Sequence, residues 1–232
     1  MHISVERAHE RGRTRLSWLD SKHSFSFGGY HNAHRMRFGA LRVLNDDLVA
    51  AGNGFSPHEH SNMEIVTIIV SGTLEHKDST GGGGRLRRGD VQAMTAGTGV
   101  THSEMNPSIR TACHFLQVWI QTRKLGAKPE YDTRKFTLKR NQLATLAGPG
   151  GLGINANARI LRAKTDRGRT ITHLTTLGRG TFVFLIAGMV ELDNEILHAG
   201  DSASITDAKE VIISAKSQSD VLVIDVPMAG KT

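Results

Sequence analysis

Two short motifs of metal-ligand residues constrain the fold of this chain more than any other feature. The first is His58-Glu59-His60 and the second is His102-Ser103-Glu104. In each motif the outer residues are spaced i, i+2, which on a strand points both side chains to the same face. We therefore expect four side chains to share one interior: His58, His60, His102 and Glu104.

The residues between the motifs favour strands. Residues 65–70 form a short, β-branched apolar run, residues 72–76 follow a turn, and Gly89-Asp90 marks a further turn. If these strands close into a small barrel, three imidazoles and one carboxylate converge and hold one metal, with open positions for water, oxygen or substrate. Nitrogen and oxygen ligands without a thiolate suit iron, nickel, cobalt, copper, manganese or zinc.

Other familiar chemistries fit the sequence less well. A helical zinc protease needs two histidines at i, i+4, and His58 and His60 are too close for that. The residues after Gly54 lack the closing glycine of a hydrolase nucleophile elbow. Residues 148–153 match Gly-x-Gly-x-x-Gly, but they lack a convincing preceding strand and a following amphipathic helix, so we do not expect a dinucleotide site.

The residues around the two motifs belong to a longer sequence pattern. It comprises residues 57–60, 63–67, 71–76, 89–92 and 94–104, with residues 18–20 and 24–27 upstream and residues 225–227 near the end. In these residues the chain resembles the metal-binding half of a cupin, and more closely the pirin and quercetinase-like family. The resemblance extends over nearly the whole chain.

This resemblance implies an all-β fold of two tandem cupin barrels, each a double-stranded β-helix or jelly roll. It implies a dioxygenase that opens a flavonol such as quercetin with dioxygen and releases carbon monoxide, and it favours Fe(II) among the metals. Glu104 is then expected to be both a metal ligand and the base that takes the proton of the flavonol 3-hydroxyl.

Two other functions stay open. Some pirins are regarded as redox-sensing regulators, in which the metal acts without catalysis and the partner is a transcription factor or a metabolic enzyme. The second is another cupin reaction, such as isomerisation or oxidation of a different small molecule. The sequence does not separate these functions.

The second half of the chain repeats the first in outline. Residues 181–186 match residues 65–70, and Gly200-Asp201 matches Gly89-Asp90. We therefore predict a metal-binding domain over residues 1–125 and a second cupin domain over residues 126–232. The second copy has no His-x-His motif, and we expect it to bind no metal.

Composition bounds the partners and the compartment. The net charge of +7 comes from scattered basic residues without aromatic interleaving, so we expect no specific nucleic acid. The longest apolar runs fall far short of the roughly 20 residues that span a bilayer, so we expect no membrane. The N-terminus has no apolar signal core and Cys113 is the single cysteine, which together favour a cytoplasmic protein.

Several polar residues near the motifs are expected to lie outside the site. Glu59 alternates with the His pair and should point away, whereas Glu64 and Glu75 suit surface or cross-strand pairs. The same exclusion applies to His76 at a turn edge and to the loop histidines 23, 31 and 34. We also predict that a strand at residues 38–44 ends in a turn at residues 45–47. Candidate apolar walls of the pocket are Phe55, Met63 and Met105.

Overall fold

The structure, a computed structural model, describes residues 1–228 and is built almost entirely of antiparallel strands. Its one helical segment is a 3-10 turn at Ala8–Glu10. The all-β prediction is thus confirmed. The strands are β1 (His2–Glu6), β2 (Gly12–Arg15), β3 (Leu19–His23), β4 (Leu41–Val49), β5 (Gly54–His60), β6 (Met63–Ser71), β7 (Thr73–Asp78), β8 (Gly83–Arg87), β9 (Asp90–Thr95), β10 (Val100–Met105), β11 (Cys113–Gln121), β12 (Glu130–Lys135), β13 (Ala144–Ala147), β14 (Arg159–Thr165), β15 (Thr170–Leu174), β16 (Arg179–Ala187), β17 (Met189–Leu192), β18 (Glu195–His198), β19 (Ser202–Thr206), β20 (Glu210–Ala215) and β21 (Ser219–Pro227).

The first barrel consists of two facing sheets. The larger has the strand order β12-β9-β6-β11-β4-β3-β2, and the smaller has the order β5-β10-β7-β8. Apolar side chains from both sheets meet between them. Phe115 and Ile69 of the larger sheet pack in one buried cluster with Leu74 and Leu86 of the smaller.

The second barrel repeats this arrangement. Its larger sheet has the order β1-β19-β16-β21-β14-β13, and its smaller sheet has the order β15-β20-β17-β18. The turns after β6 and β16 both contain a glycine with positive φ, Gly72 at 80° and Gly188 at 91°. A side chain would be strained in that conformation. The repeated strand order and the repeated turn agree with the internal repeat in the sequence.

The two barrels pack together through their larger sheets. Val66 and Ile68 of β6 lie in the same buried cluster as Phe182 and Phe184 of β16, whereas Ile65 and Ile69 of β6 face the interior of the first barrel. Both faces of β6 and β16 are therefore buried. This double burial explains why these strands read as continuous apolar runs rather than alternating patterns.

Each half of the chain supplies an edge strand to the other half's large sheet. β1 pairs with β19 in the second barrel, and β12 pairs with β9 in the first. β12 lies beyond residue 125, so the sheets do not divide where the predicted domains do. The division into residues 1–125 and 126–232 stays a prediction about domains.

The predicted turn at residues 45–47 is wrong. β4 continues through these residues and buries Asn45 and Asp47 on the same face as Val49. Within residues 1–228, no helix has the length and apolarity needed to cross a bilayer.

Candidate metal centre

Strand pairing places the two motifs side by side in the smaller sheet of the first barrel. β10 lies between β5 and β7, and His102 is the direct cross-strand partner of His58. The register between β5 and β10 then shifts, so that Glu104 pairs with Phe55. Pro57 lies in this irregular stretch of β5. A proline is tolerated there because β5 is an edge strand.

The structure brings three of the four expected side chains into one cluster. The donor atoms of His58, His60 and His102 all lie within 4.8 Å of one another. Their ring centroids are separated by 4.8 Å for His58–His60, 4.4 Å for His58–His102 and 4.9 Å for His60–His102. A shared cation accounts for the close approach of three imidazoles better than separate hydrogen bonds of each ring would.

The hydrogen bonds of the cluster leave ring nitrogens available for such a cation. Nδ1 of His58 lies 2.8 Å from the carbonyl oxygen of Ser56, which can only accept, so Nδ1 carries the proton and Nε2 keeps its lone pair. Nε2 of His102 is buried without any hydrogen-bond partner. A buried nitrogen without a partner is costly unless something else binds it. These nitrogens fit a transition metal.

Burial keeps two of the three imidazoles in the form that binds metals. Desolvation, followed by repulsion from His58, lowers the pKa of His60 to about 4. Desolvation, with repulsion from the neighbouring histidines, lowers the pKa of His102 to about 3. Both imidazoles are therefore neutral near pH 7, and a neutral imidazole is the state that ligates a metal.

Glu104 lies beside this cluster in a second, overlapping group. Its carboxylate belongs with His76 and His102, whose donor atoms also lie within 4.8 Å of one another. Oε2 of Glu104 accepts a hydrogen bond of 2.6 Å from Nε2 of Gln117, and Oε1 accepts one of 3.3 Å from Oγ1 of Thr67. Desolvation, followed by the charge of Asp47, raises the pKa of Glu104 to about 7.

One residue that the sequence placed outside the site lies inside the barrel. His76 is fully buried, and its Nδ1 lies 3.4 Å from Nδ1 of His102. It was missed because a polar residue that alternates along a strand has the same pattern whether it faces solvent or a polar interior. Glu64 is fully buried on the other face of β6, which packs against the second barrel, where it accepts hydrogen bonds from its cross-strand partner Thr95 and from the backbone of Asn155. Glu75 forms the expected cross-strand pair, with Arg85, and Glu59 is exposed.

The histidine cluster lies at a cavity of about 200 Å³ that opens to solvent. Aromatic rings form much of the wall: Phe27, Phe55 and Trp119. Of the three expected apolar wall residues, Phe55 alone lines this cavity, and Met63 packs instead beside Ile65 and Met94. Trp119 contacts the centre directly, with its ring 4.7 Å from that of His60 and inclined at 75°.

A polar wall completes the cavity, built from residues that sequence reasoning did not select: His23, Asn45, Asp47 and Gln117. His23 is 1% exposed, so the prediction of a loop histidine is wrong. Its Nδ1 lies 2.8 Å from Oδ1 of Asn45. Burial raises the pKa of Asp47 to about 7, and its Oδ1 has no hydrogen-bond partner. The i, i+2 spacing of Asn45 and Asp47 was the available signal.

The second barrel presents a different interior at the equivalent strands. β15 and β20 carry the buried apolar residues Ile171, Val211 and Ile213. Its one buried histidine, His173, pairs with Asp225 at 3.0 Å. Within residues 1–228, both groups of metal-type donors lie in the first barrel. The fold and site thus define a protein of two tandem cupin-type barrels with a histidine centre in the first.

Comparison with known proteins identifies the family. Residues 4–120 match the Pirin family model, and residues 143–226 match the model described as Quercetinase C-terminal cupin domain. The chain belongs to the pirin family, as its sequence indicated.

Similar proteins match over nearly their whole length. The quercetin 2,3-dioxygenase of Escherichia coli strain K12 is 36% identical over 228 residues, which are 97% of this chain and 99% of that protein. A pirin-like protein of Caulobacter vibrioides is 37% identical over 215 residues, which are 90% of this chain and 92% of that one. The crystal structure of the bacterial pirin YhhW from Escherichia coli in complex with nickel(II) has a TM-score of 0.94 at 34% identity, covering 98% of this chain and 100% of that chain.

Proposed function

We propose that this pirin is a metal-dependent dioxygenase that opens flavonols such as quercetin. The ion is held by His58, His60, His102 and Glu104, and Fe(II) is the native metal. The observation that carries this proposal is the cluster of three imidazoles, with Nε2 of His102 unpaired, at an aromatic-walled cavity. The name of the similar Escherichia coli dioxygenase supports it.

The bound ion would supply a Lewis acid that lowers the pKa of a hydroxyl and a redox centre for dioxygen chemistry. The surrounding residues would transfer the proton and orient the groups that react. Glu104, whose pKa is raised to about 7, takes the proton of the flavonol 3-hydroxyl and holds it. Gln117 and Thr67 keep the carboxylate in place through their hydrogen bonds.

The cavity walls would hold the planar substrate and exclude water. Phe27, Phe55 and Trp119 offer aromatic surface to the flavonol rings, and such contacts favour stacked or edge-on rings. The polar wall around Asn45 and Asp47 faces the same space and suits hydroxyl groups of the substrate. At about 200 Å³, the cavity is smaller than most ligand pockets, so part of the substrate would extend into the open mouth.

The test uses metal-free protein reloaded anaerobically with Fe(II) or nickel(II), and then mixed with quercetin and oxygen. We expect the absorbance of quercetin to fall and one molecule of carbon monoxide to be released for each molecule of quercetin consumed. Glu104→Gln should slow this reaction by about 100-fold or more, the scale of a lost general base. Absence of turnover with every metal would overturn the enzymatic proposal and favour a metal-bound regulator of a protein partner.

A further inference from the structure

We propose that Asp78 and His76 form a relay that fixes the tautomer of His102 and thereby presents its Nε2 to the metal. The inference rests on the proposed metal centre. It assigns His76 and Asp78 as positioning residues, which act through His102 rather than by touching the ion or the substrate.

The strand register assembles the relay. β7 and β10 are adjacent, with Asp78 directly opposite His102 and His76 directly opposite Glu104. His76 and Asp78 are spaced i, i+2 on β7, so they share the face that points to the barrel interior. The side chain of His76 is 0% exposed and that of Asp78 is 1% exposed. Their hydrogen bonds are thus shielded from water.

The donor and acceptor of each hydrogen bond can be assigned in order from Asp78 through His76 to His102. Oδ2 of Asp78 lies 3.0 Å from Nε2 of His76, and an ionised carboxylate only accepts, so Nε2 carries the proton of His76. Nδ1 of His76 is then an acceptor. It lies 3.4 Å from Nδ1 of His102, and a hydrogen bond between these two nitrogens requires the proton on Nδ1 of His102. Nε2 of His102 keeps its lone pair.

Further contacts occupy His76 and hold its ring. The side-chain amide of Gln92 lies 3.3 Å from Nδ1 of His76, where its nitrogen donates to the same lone pair. Tyr131 stacks on the imidazole, with centroids 4.7 Å apart and planes inclined by 19°. Both nitrogens of His76 are thus engaged within the protein. This argues that His76 orients His102 and does not itself bind an ion between His102 and Glu104.

Asp78→Asn is the sharpest test, because it is designed to reverse the relay. The amide oxygen of asparagine can still accept from the backbone nitrogens of Thr80 and Gly82, as Oδ1 of Asp78 does. The new amide nitrogen donates toward Nε2 of His76, which moves the His76 proton to Nδ1 and the His102 proton to Nε2. Asparagine in place of aspartate selects a wrong histidine tautomer in the same way in Ser-His-Asp triads.

The experiment measures nickel(II) affinity by chelator competition and the His102 tautomer by nitrogen chemical shifts of histidine-labelled, metal-free protein. We expect Asp78→Asn and His76→Phe each to weaken nickel(II) binding by roughly 10- to 100-fold. His102 should lose its Nδ1 proton in Asp78→Asn. Glu75→Gln is the matched control, since Glu75 lies on the same strand in an exposed pair with Arg85, and it should behave as wild type.

Wild-type affinity in both relay variants, or an unchanged His102 tautomer in Asp78→Asn, overturns the relay. So does a His76→Phe variant that loses nickel(II) as completely as His102→Ala while Asp78→Asn binds normally, since that would make His76 a ligand. If the wild type itself binds no nickel(II) or Fe(II), the proposed metal centre fails. The tautomer measurement, which needs no metal, then decides on the relay.

Discussion

The phenol ring of Tyr131 lies flat against the imidazole of His76, with 4.7 Å between the centroids. Tyr131 belongs to β12, the edge strand that the chain adds to the first barrel after residue 125. A residue from beyond the predicted domain boundary at residue 125 thus packs inside the first barrel. The first barrel is therefore incomplete without β12.

This contact predicts a difference between two substitutions of Tyr131. Tyr131→Ala removes the stacked ring and leaves a void, so it should lower the free energy of unfolding by about 3 kcal/mol. The hydroxyl of Tyr131 is buried without a hydrogen-bond partner, so Tyr131→Phe should be neutral or stabilise by up to about 1 kcal/mol. Urea unfolding of both variants measures this. Equal destabilisation by both would contradict the stacking role.

If the histidine cluster holds the metal, the metal content of the protein should depend on the clustered histidines and not on an exposed histidine elsewhere. His60→Ala removes one of the three clustered imidazoles and should lower bound nickel(II) after dialysis at least 10-fold. His31→Ala, at an exposed histidine outside the cluster, should retain one ion per chain. Elemental analysis of both proteins checks this, and equal loss from the two variants would place the ion elsewhere.

The buried carboxyl of Asp47 predicts a specific pH dependence of stability in metal-free protein. Its pKa is raised from 3.8 to about 7, chiefly by burial, so the folded state holds a proton that the unfolded state releases above about pH 4. Stability from this group is therefore full below pH 4 and is lost as pH rises through 7. The total is about 4 kcal/mol, from about 1.4 kcal/mol per pKa unit.

Asp47→Asn removes this titration. The variant should resemble wild type near pH 4 and be more stable than wild type at pH 8, with the gain growing across that interval. Urea unfolding at several pH values measures the difference. The opposite result would be a free energy of unfolding of Asp47→Asn that falls below that of wild type as the pH rises from 4 to 8. That result would show that Asp47 is ionised and hydrogen-bonded in the folded state.

The mouth of the cavity offers a test of substrate access that leaves the histidines intact. Gly29 lines the mouth, is exposed, and has open space where a side chain would start. Gly29→Trp should therefore narrow the opening and weaken anaerobic quercetin binding at least 10-fold, with nickel(II) affinity unchanged. Gly153→Trp, at an exposed glycine with the same free space, is the control. Calorimetry measures both, and unaltered quercetin binding in Gly29→Trp would place the substrate elsewhere.

Local pattern was sufficient for much of the fold. The run at residues 65–70 was correctly assigned to a strand, because it is too short for a typical buried helix and its residues are β-branched. The repeat of that run at residues 181–186 correctly indicated two barrels of the same kind. In contrast, residues 45–47 were misassigned as a turn, because Asn and Asp favour turns and nothing nearby shows that they face a polar cavity.

The sequence by itself determined the two His-containing motifs, the face that each presents and the duplicated barrel, because these follow from residue spacing along single strands. Only the tertiary structure decided that Asp78 bonds to His76 and His76 to His102, that Asp47 and Glu104 line the same cavity, and that Tyr131 comes from the other half of the chain. The physical reason is that strand pairing joins segments far apart in the chain. A polar residue on a strand has the same local pattern facing water as facing a buried neighbour.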